Sequence, residues 1–446
     1  MTQDLRLLGG GTLVVGACVA IARLSDPIAS FPALMAWCAV ATAGWLLAWR
    51  AARSAPDAPA RLGAVLGVAL AARLLLVLPQ APLSDDLYRY LWEGRVGNAG
   101  TNPYLHPPDA DALRPLRDAV VWPRINHPSL PTLYPPVAQW YFRALAAAGP
   151  RPRAPRFAAA LLDAATTAAL AALLRRRGRP GALALVYGWS PLAILESGGG
   201  GHVDALGVAL LVAGLWALAS SSRRGALGGG LLLAGSALVK PAALLLAPAL
   251  LGPRAARRGW ILAGAALGLL VCVPYLGAGA RLFEGFRTYA ENWHFNDALF
   301  SRLVAAGASP HDARRALGIV LAAVAWVAPR RIRDPLAASG VVIGAFLALS
   351  PTAHPWYAMW LLPLLPFLPR ALVPAGALLC MLLPLSYVTP WERVATGVWR
   401  EPGWPRAVIW GAVELALGWA LARALVLGSA ARASLNAAGR ASGGPA

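Results

Sequence analysis

The chain has 446 residues, of which 58% are hydrophobic and only 13% charged, with a mean hydropathy of +0.56. A soluble chain carries roughly 25% Asp, Glu, Lys and Arg to keep its surface hydrated, so a soluble multidomain protein is excluded and the apolar excess must face lipid. The 40 basic and 20 acidic residues give a formal charge of +20, which points to nucleic acid, anionic lipid or a phosphate-bearing substrate until the charges are located.

A spanning helix takes about 20 apolar residues. In chain order, the spans 7–24 and 30–49 form an N-terminal pair within residues 1–61. The first lacks an A-x-A cleavage signal and is expected to be retained. The main body, 62–427, begins with the span 62–79 and carries a long polar loop, 80–155, before the next. In that loop, 134–149 reads as an interfacial helix with Tyr134, Trp140, Tyr141 and Phe142 at headgroup level. The remaining spans are 156–174, 181–196, 203–220, 225–240, 241–253, 260–276, 313–329, 335–350, 357–369, 371–388 and 405–427. The predicted class is therefore all-α and polytopic, with 14 membrane helices. The Ala-Gly-rich tail 428–446 is expected to be disordered and cytoplasmic.

Orientation follows from short Arg-rich connectors, which stay on the cytoplasmic side. Arg50, Arg53 and Arg61, Arg175 to Arg177 with Arg179, Arg223 with Arg224, Arg254 with Arg257 and Arg258, and Arg330, Arg331 and Arg333 all fall on one side of this map. The polar chemistry collects on the other. All basic residues except Lys240 are Arg, which with the abundant Ala, Gly and Pro reads as a coding preference. Half the charge is thus a topology signal, and nucleic acid is not an expected partner. Cys18, Cys38, Cys272 and Cys380 lie in apolar runs with no paired spacing and read as small buried hydrophobes.

Four constellations carry candidate chemistry. In S-D-D-L-Y-R-Y-L-W-E-G-R, Ser84 is the predicted N-cap, with Asp85 and Asp86 in the first turn of a helix ending near Gly94 or Gly97. Asp86, Arg89 and Glu93 then share one face, and Leu87 and Leu91 another that can lie on the membrane. One acid complements a helix dipole, but two adjacent acids at the bilayer surface signal function. Downstream in the loop, Asn102, Tyr104, His106, Asn126, His127, Tyr134 and Gln139 sit among prolines and offer donors and acceptors suited to sugar hydroxyls.

The second constellation is E-S-G-G-G-G-H-V-D, with Glu196, His202 and Asp204. Its glycines permit close backbone approach, and His202 and Asp204 read as a hydrogen-bonded pair shaping a cavity. The third is Lys240 before Pro241 at a helix break, either a snorkelling anchor or a phosphate ligand. The fourth is S-P-T-A-H-P-W-Y-A-M-W, where His354, Trp356 and Tyr357 meet an outer interface. Segment 277–312 adds Glu291, Asn292, Trp293, His294, Asn296 and Asp297.

In these residues the chain resembles the polyprenol-phosphate-sugar-dependent glycosyltransferases of the GT-C class, especially glycosyltransferase family 87 and the bacterial α-1,6-mannosyltransferases. The matching pieces are S-D-D-L-Y-R-Y-L-W-E-G-R, N-P-Y, Y-P-P-V-A-Q, G-H-V-D-A-L, L-V-K-P and S-P-T-A-H-P-W-Y-A-M-W, spread over about residues 60–390. The resemblance implies an inner-membrane enzyme whose site faces the periplasm or outside. It would move a hexose, mannose by the family's habit, from a polyprenyl phosphate to a glycan or lipid acceptor with inversion. Asp85 and Asp86 fall on the family's acidic motif, which implies a catalytic base there. Arg89, Glu93, Asn102, Tyr104, Tyr134, Gln139, His202, Asp204, Lys240, His354, Trp356 and Tyr357 are the expected substrate contacts. No cofactor is assigned, and a divalent metal is left open because some members of the class use one. Two spans precede the one leading into the acidic motif, where the simplest members have one. The rival reading is a transporter or flippase of lipid-linked sugars, whose signature would be matched halves with paired helix breaks. Only the break at Lys240 is found.

Overall fold

The computed structural model describes residues 3–53, 56–79, 81–252 and 255–441, with side chains described except at 255–256 and 427–441. Arg254 lies outside the described residues. Regular structure among them is helical, apart from an isolated bridge between Phe295 and Thr352. Among the described residues seven helical runs are long and apolar enough to cross a membrane: Gln3–Ala22, Phe31–Ala52, Pro59–Val77, Arg153–Arg176, Arg257–Asn292, Val373–Thr396 and Gly403–Val426. Shorter apolar helices cover Asp204–Leu218, Pro241–Leu250 and Pro335–Leu349. The chain is thus an all-helical polytopic membrane protein.

The first three helices, α1 (Gln3–Ala22), α2 (Phe31–Ala52) and α3 (Pro59–Val77), pack together. The α1–α2 crossing is tight because glycines face each other. A methyl group built on Gly10 would lie 2.5 Å from the Gly44 carbonyl oxygen, and one on Gly44 2.6 Å from that of Gly10. Small residues at such a crossing let backbones approach where lipid offers no hydrophobic driving force. The pair is tied inward by Trp45, whose Nε1 donates to the carbonyls of Leu185 and Val186.

Two helices of the long loop follow, α4 (Asp86–Asn98) and α5 (Pro136–Ala147), then α6 (Arg153–Arg176), α7 (Asp204–Leu218) and α8 (Arg223–Ala237). The N-cap of α4 is Asp85 rather than Ser84, whose Oγ instead accepts the Asp86 backbone N–H at 3.2 Å. Leu87 and Leu91 do not lie on the membrane. They are buried with Tyr90, Tyr134 and Phe142 in a core of the loop itself. The loop is long enough to fold its two helices against each other, so Tyr134 and Phe142 are covered by protein and Trp140 remains partly exposed. Gly94 permits this packing, since a β-carbon there would run into the Phe142 carbonyl.

Spans predicted at 181–196 and 357–369 are not single helices. Pro191, Pro363 and Pro366 break them into short α and 3-10 pieces that lie buried within the bundle. The expected break at Lys240 is present: α8 ends at Ala237, Lys240 is extended, and a 3-10 stretch runs from Pro241 to Leu246. The last helix runs from Gly403 to Ala441, into the segment expected to be disordered, where Ala favours helix.

Arg73 and Asp163 form a fully buried pair between α3 and α6 at 3.0 Å, and the Tyr187 hydroxyl donates to the same carboxylate. Arg61–Asp4 and Arg175–Asp57, both at 2.6 Å, and Arg177–Asp334 at 2.7 Å gather the basic connectors at one end of the bundle. The motif-bearing loops meet at the other. Replacing Gly94 with Ala should push α5 off α4 and destabilise the protein by about 1–3 kcal/mol. Thermal unfolding in detergent checks this, and an unchanged melting temperature would show that the α4–α5 contact is not constrained as described.

Candidate active site

At the loop end, a cavity of about 720 Å³ opens above the bundle, and a second compartment of about 410 Å³ adjoins it. Ser84, Asp85, His354, Trp356 and Arg393 line both. The acids arrive on the first turn of α4. The segment leading into that turn is tied down by buried Arg156, which donates to the carbonyls of Pro79 at 2.7 Å, Gly198 at 2.9 Å and Leu76. The Leu83 N–H also donates to the Gly199 carbonyl at 3.1 Å.

Asn126 Nδ2 bridges the acids, donating to Asp85 Oδ1 at 3.0 Å and Asp86 Oδ1 at 2.7 Å. Burial and the neighbouring Asp85 charge push the Asp86 carboxyl up to about 6, while Asn126 and Lys240 oppose the rise. Asp86 is thus poised close to neutrality, where a general base works best.

Arg89 borders the cavity, but its guanidinium is committed elsewhere. It pairs with Glu93 at 2.6 Å and donates to the carbonyls of His127 at 3.1 Å and Leu130 at 2.6 Å. Glu93 also accepts from Thr132 Oγ1 and Gln139 Nε2, each at 2.6 Å. Arg89, Glu93 and Gln139 therefore form a buried network that fastens loop 127–134 to α4 and α5. Within that loop His127 takes a left-handed backbone, φ 45°, unusual for a residue with a β-carbon. Asn102 donates to the Tyr275 carbonyl at 3.3 Å and the Tyr104 hydroxyl to the Tyr134 carbonyl at 2.6 Å. Glu93, Asn102, Tyr104 and Gln139 do not line the cavity; Tyr134 does.

Lys240 lines the wall with its ammonium paired to both oxygens of buried Asp204, at 2.8 and 2.7 Å, and 4.3 Å from the centre of the Tyr357 ring. Asp204 also accepts from Trp360 Nε1 at 2.7 Å. Tyr357 and Tyr289 share a hydroxyl contact at 2.6 Å. His202, Trp356, His354 and Phe295 form a continuous ring stack, with successive centroids 4.0, 4.2 and 4.8 Å apart. Burial, together with the Lys240 charge, holds His354 down to about 3, so it is neutral at physiological pH. His202 and Asp204 sit behind the wall.

Among the described residues no group of three or more His, Cys, Asp or Glu side chains is placed to hold a metal ion. Several cavity residues carry no motif signal. Tyr289, Arg393 and Trp399 come from segments distant in sequence, Trp293 from the aromatic segment singled out at 277–312, and Asn126 is recognisable in sequence only as part of a Pro-flanked loop. No salt bridge to Arg393 is found among the described residues.

No curated protein matches the chain. Residues 10–256 match the alpha-(1->6)-mannopyranosyltransferase N-terminal domain. The matched region contains Asp85, Asp86, Asn126, Glu196, His202, Asp204 and Lys240, while His354, Trp356 and Arg393 lie beyond it. With more than half of the chain matched, and its acids on an all-helical membrane scaffold, the protein belongs to the alpha-(1->6)-mannopyranosyltransferase family: it is a membrane mannosyltransferase.

Proposed function

We propose that the enzyme moves mannose from a polyprenyl-phosphate donor to a hydroxyl of an extracytoplasmic glycan or lipid acceptor, with inversion at the anomeric carbon, in a bacterial inner membrane. The observation that carries this reading is the cavity itself, which holds the near-neutral carboxyl of Asp86 together with the cations Lys240 and Arg393. Asp86 removes the acceptor hydroxyl proton as the oxygen attacks the sugar. The polyprenyl phosphate leaves with its negative charge stabilised by the cations, so no acid is needed on that side. Because Asn126 joins Asp85 and Asp86, the carboxylates act from one place, which suits a single displacement better than a covalent intermediate.

Lys240 is largely neutralised by Asp204, which leaves Arg393, without a carboxylate partner among the described residues, as the principal phosphate contact. A planar guanidinium suits that role. Its position in both compartments supports a donor that reaches the large cavity from the smaller one, whose walls include Ile28, Leu83, Pro390 and Val394. The basic connectors at the opposite end of the bundle support an outward-facing site.

With purified enzyme and polyprenyl-phosphate mannose, Asp86→Asn should lower kcat by at least about 100-fold. In the unaltered enzyme kcat/KM should fall about tenfold per pH unit below about 6, as the base becomes protonated. A carboxyl raised on folding makes the folded state bind more protons, so stability declines as pH rises from its unfolded value, about 3.9, to about 6. Asp86→Asn removes that liability and should remain folded at neutral pH. Full activity in a folded Asp86→Asn variant would refute the mechanism. Arg393→Ala should raise KM for the donor about tenfold or more while leaving KM for the acceptor unchanged; an unchanged donor KM would remove Arg393 from the phosphate site.

A further inference from the structure

Behind the acid pair lies a second carboxyl that touches neither cavity. Glu196 is fully buried and accepts the Tyr387 hydroxyl at 2.9 and 3.0 Å. Between Glu196 and Asp86 stands the equally buried ring of His202, with Nε2 3.3 Å from Glu196 Oε2 and Nδ1 3.8 Å from Asp86 Oδ2. Neither ring nitrogen completes a hydrogen bond among the described residues, an uncommon state for a buried polar group.

The backbone is shaped to admit this ring. Residues Leu195–Gly199 form a π-turn, a feature often found at functional sites, and a β-carbon on Gly200 would lie 2.7 Å from His202 Cδ2. One face of the ring is stacked on Trp356. The fold thus holds an imidazole edge-on between two carboxyls.

A neutral imidazole has one donor and one acceptor nitrogen. Asp86, working as a base, is a carboxylate and only accepts, so the donor nitrogen must face it. The other nitrogen then needs a donor, and adjacent Glu196 supplies one only as the carboxylic acid. We propose that Glu196 and His202 are positioning residues for Asp86: Glu196 keeps its proton and donates it to His202 Nε2, which sets Nδ1–H as the donor facing the Asp86 carboxylate. The 3.8 Å separation closes by a small rotation of Asp86 when the acceptor arrives, as catalytic hydrogen bonds often tighten in the substrate complex. The same residue that removes the proton is thereby oriented from a point the substrate never touches.

Asp86 also faces Asp85 and Tyr90 on its own helix, Asn126 and Tyr134 from the loop, Lys240, Asp204 and Tyr387 from the bundle, and Tyr289 from segment 277–312. Of these, Tyr387 bonds to Glu196 itself. The inference rests on Asp86 being the base, and its test uses purified enzyme, polyprenyl-phosphate mannose, and variants that elute as folded protein in detergent. His202→Phe and Glu196→Leu should lower kcat about 10- to 100-fold, the range typical of a lost orienting partner, with KM for both substrates unchanged. The acid limb of the kcat profile, which reports the substrate complex, should move to higher pH, because Asp86 loses a donor. Glu196→Gln, whose amide N–H can donate to Nε2, should rescue most of the rate.

Equal loss in Glu196→Gln and Glu196→Leu, or an acid limb that does not move, would overturn the assignment while leaving Asp86 as base. Full activity in folded Asp86→Asn would overturn the base itself. Adding Glu196→Leu to Asp86→Asn should cause no further loss, and a further loss would show that Glu196 acts by another route.

Discussion

The half of this molecule that holds the cavity depends on burying charge without leaving it unpaired. Asp204 is the focal case. Its carboxylate, at the first turn of α7 and fully shielded, collects the Lys240 ammonium with both oxygens and the Trp360 indole with one. An isolated buried carboxylate costs several kcal/mol, so the three segments must come together or the fold is lost. That requirement brings the extended turn at Lys240 and the 3-10 stretch holding Trp356 and Tyr357 against the same helix end. Arg156 and the Arg89–Glu93 pair meet the same requirement elsewhere, by filling backbone carbonyls and loop side chains.

From this follows a layered site. The acids project into open space from the start of α4, while one and two turns further on Arg89 and Glu93 are sealed into the wall. The helix therefore has a cavity-facing end and a structural middle. Below the acids, His202, Glu196 and Tyr387 continue the polar chain into the bundle, where water is scarce and each hydrogen bond counts for more.

Much of this was legible in the sequence because its motifs are local. Two acids after an early span, a Gly-run ending in His and Asp, a Lys-Pro break and a His between prolines each announce a helix start or stop at one end of the bundle, and helix ends are where a bundle builds a site. What spacing does not encode is the partner. Leu87 and Leu91 share a face whether lipid or protein covers it, and only the length of the loop lets α5 cover them. Glu93 and Gln139 have the polarity of sugar-binding residues, but their contacts are with each other across 46 positions. Arg73 and Asp163 lie 90 positions apart. Arg393 sits in a segment without any motif and lines both compartments, with no salt bridge to it found among the described residues. Proline breaks at 191, 363 and 366 likewise turn apolar runs into short buried pieces, a change that hydropathy alone does not register.

The ring stack has a mechanical consequence. A histidine clamped face to face with Trp356 can slide within its own plane, but it cannot tip without opening the 4.0 Å gap to the indole. The plane in which its two nitrogens lie is therefore set by van der Waals contact with the indole. That plane is held by a flat, apolar surface that changes of pH leave untouched.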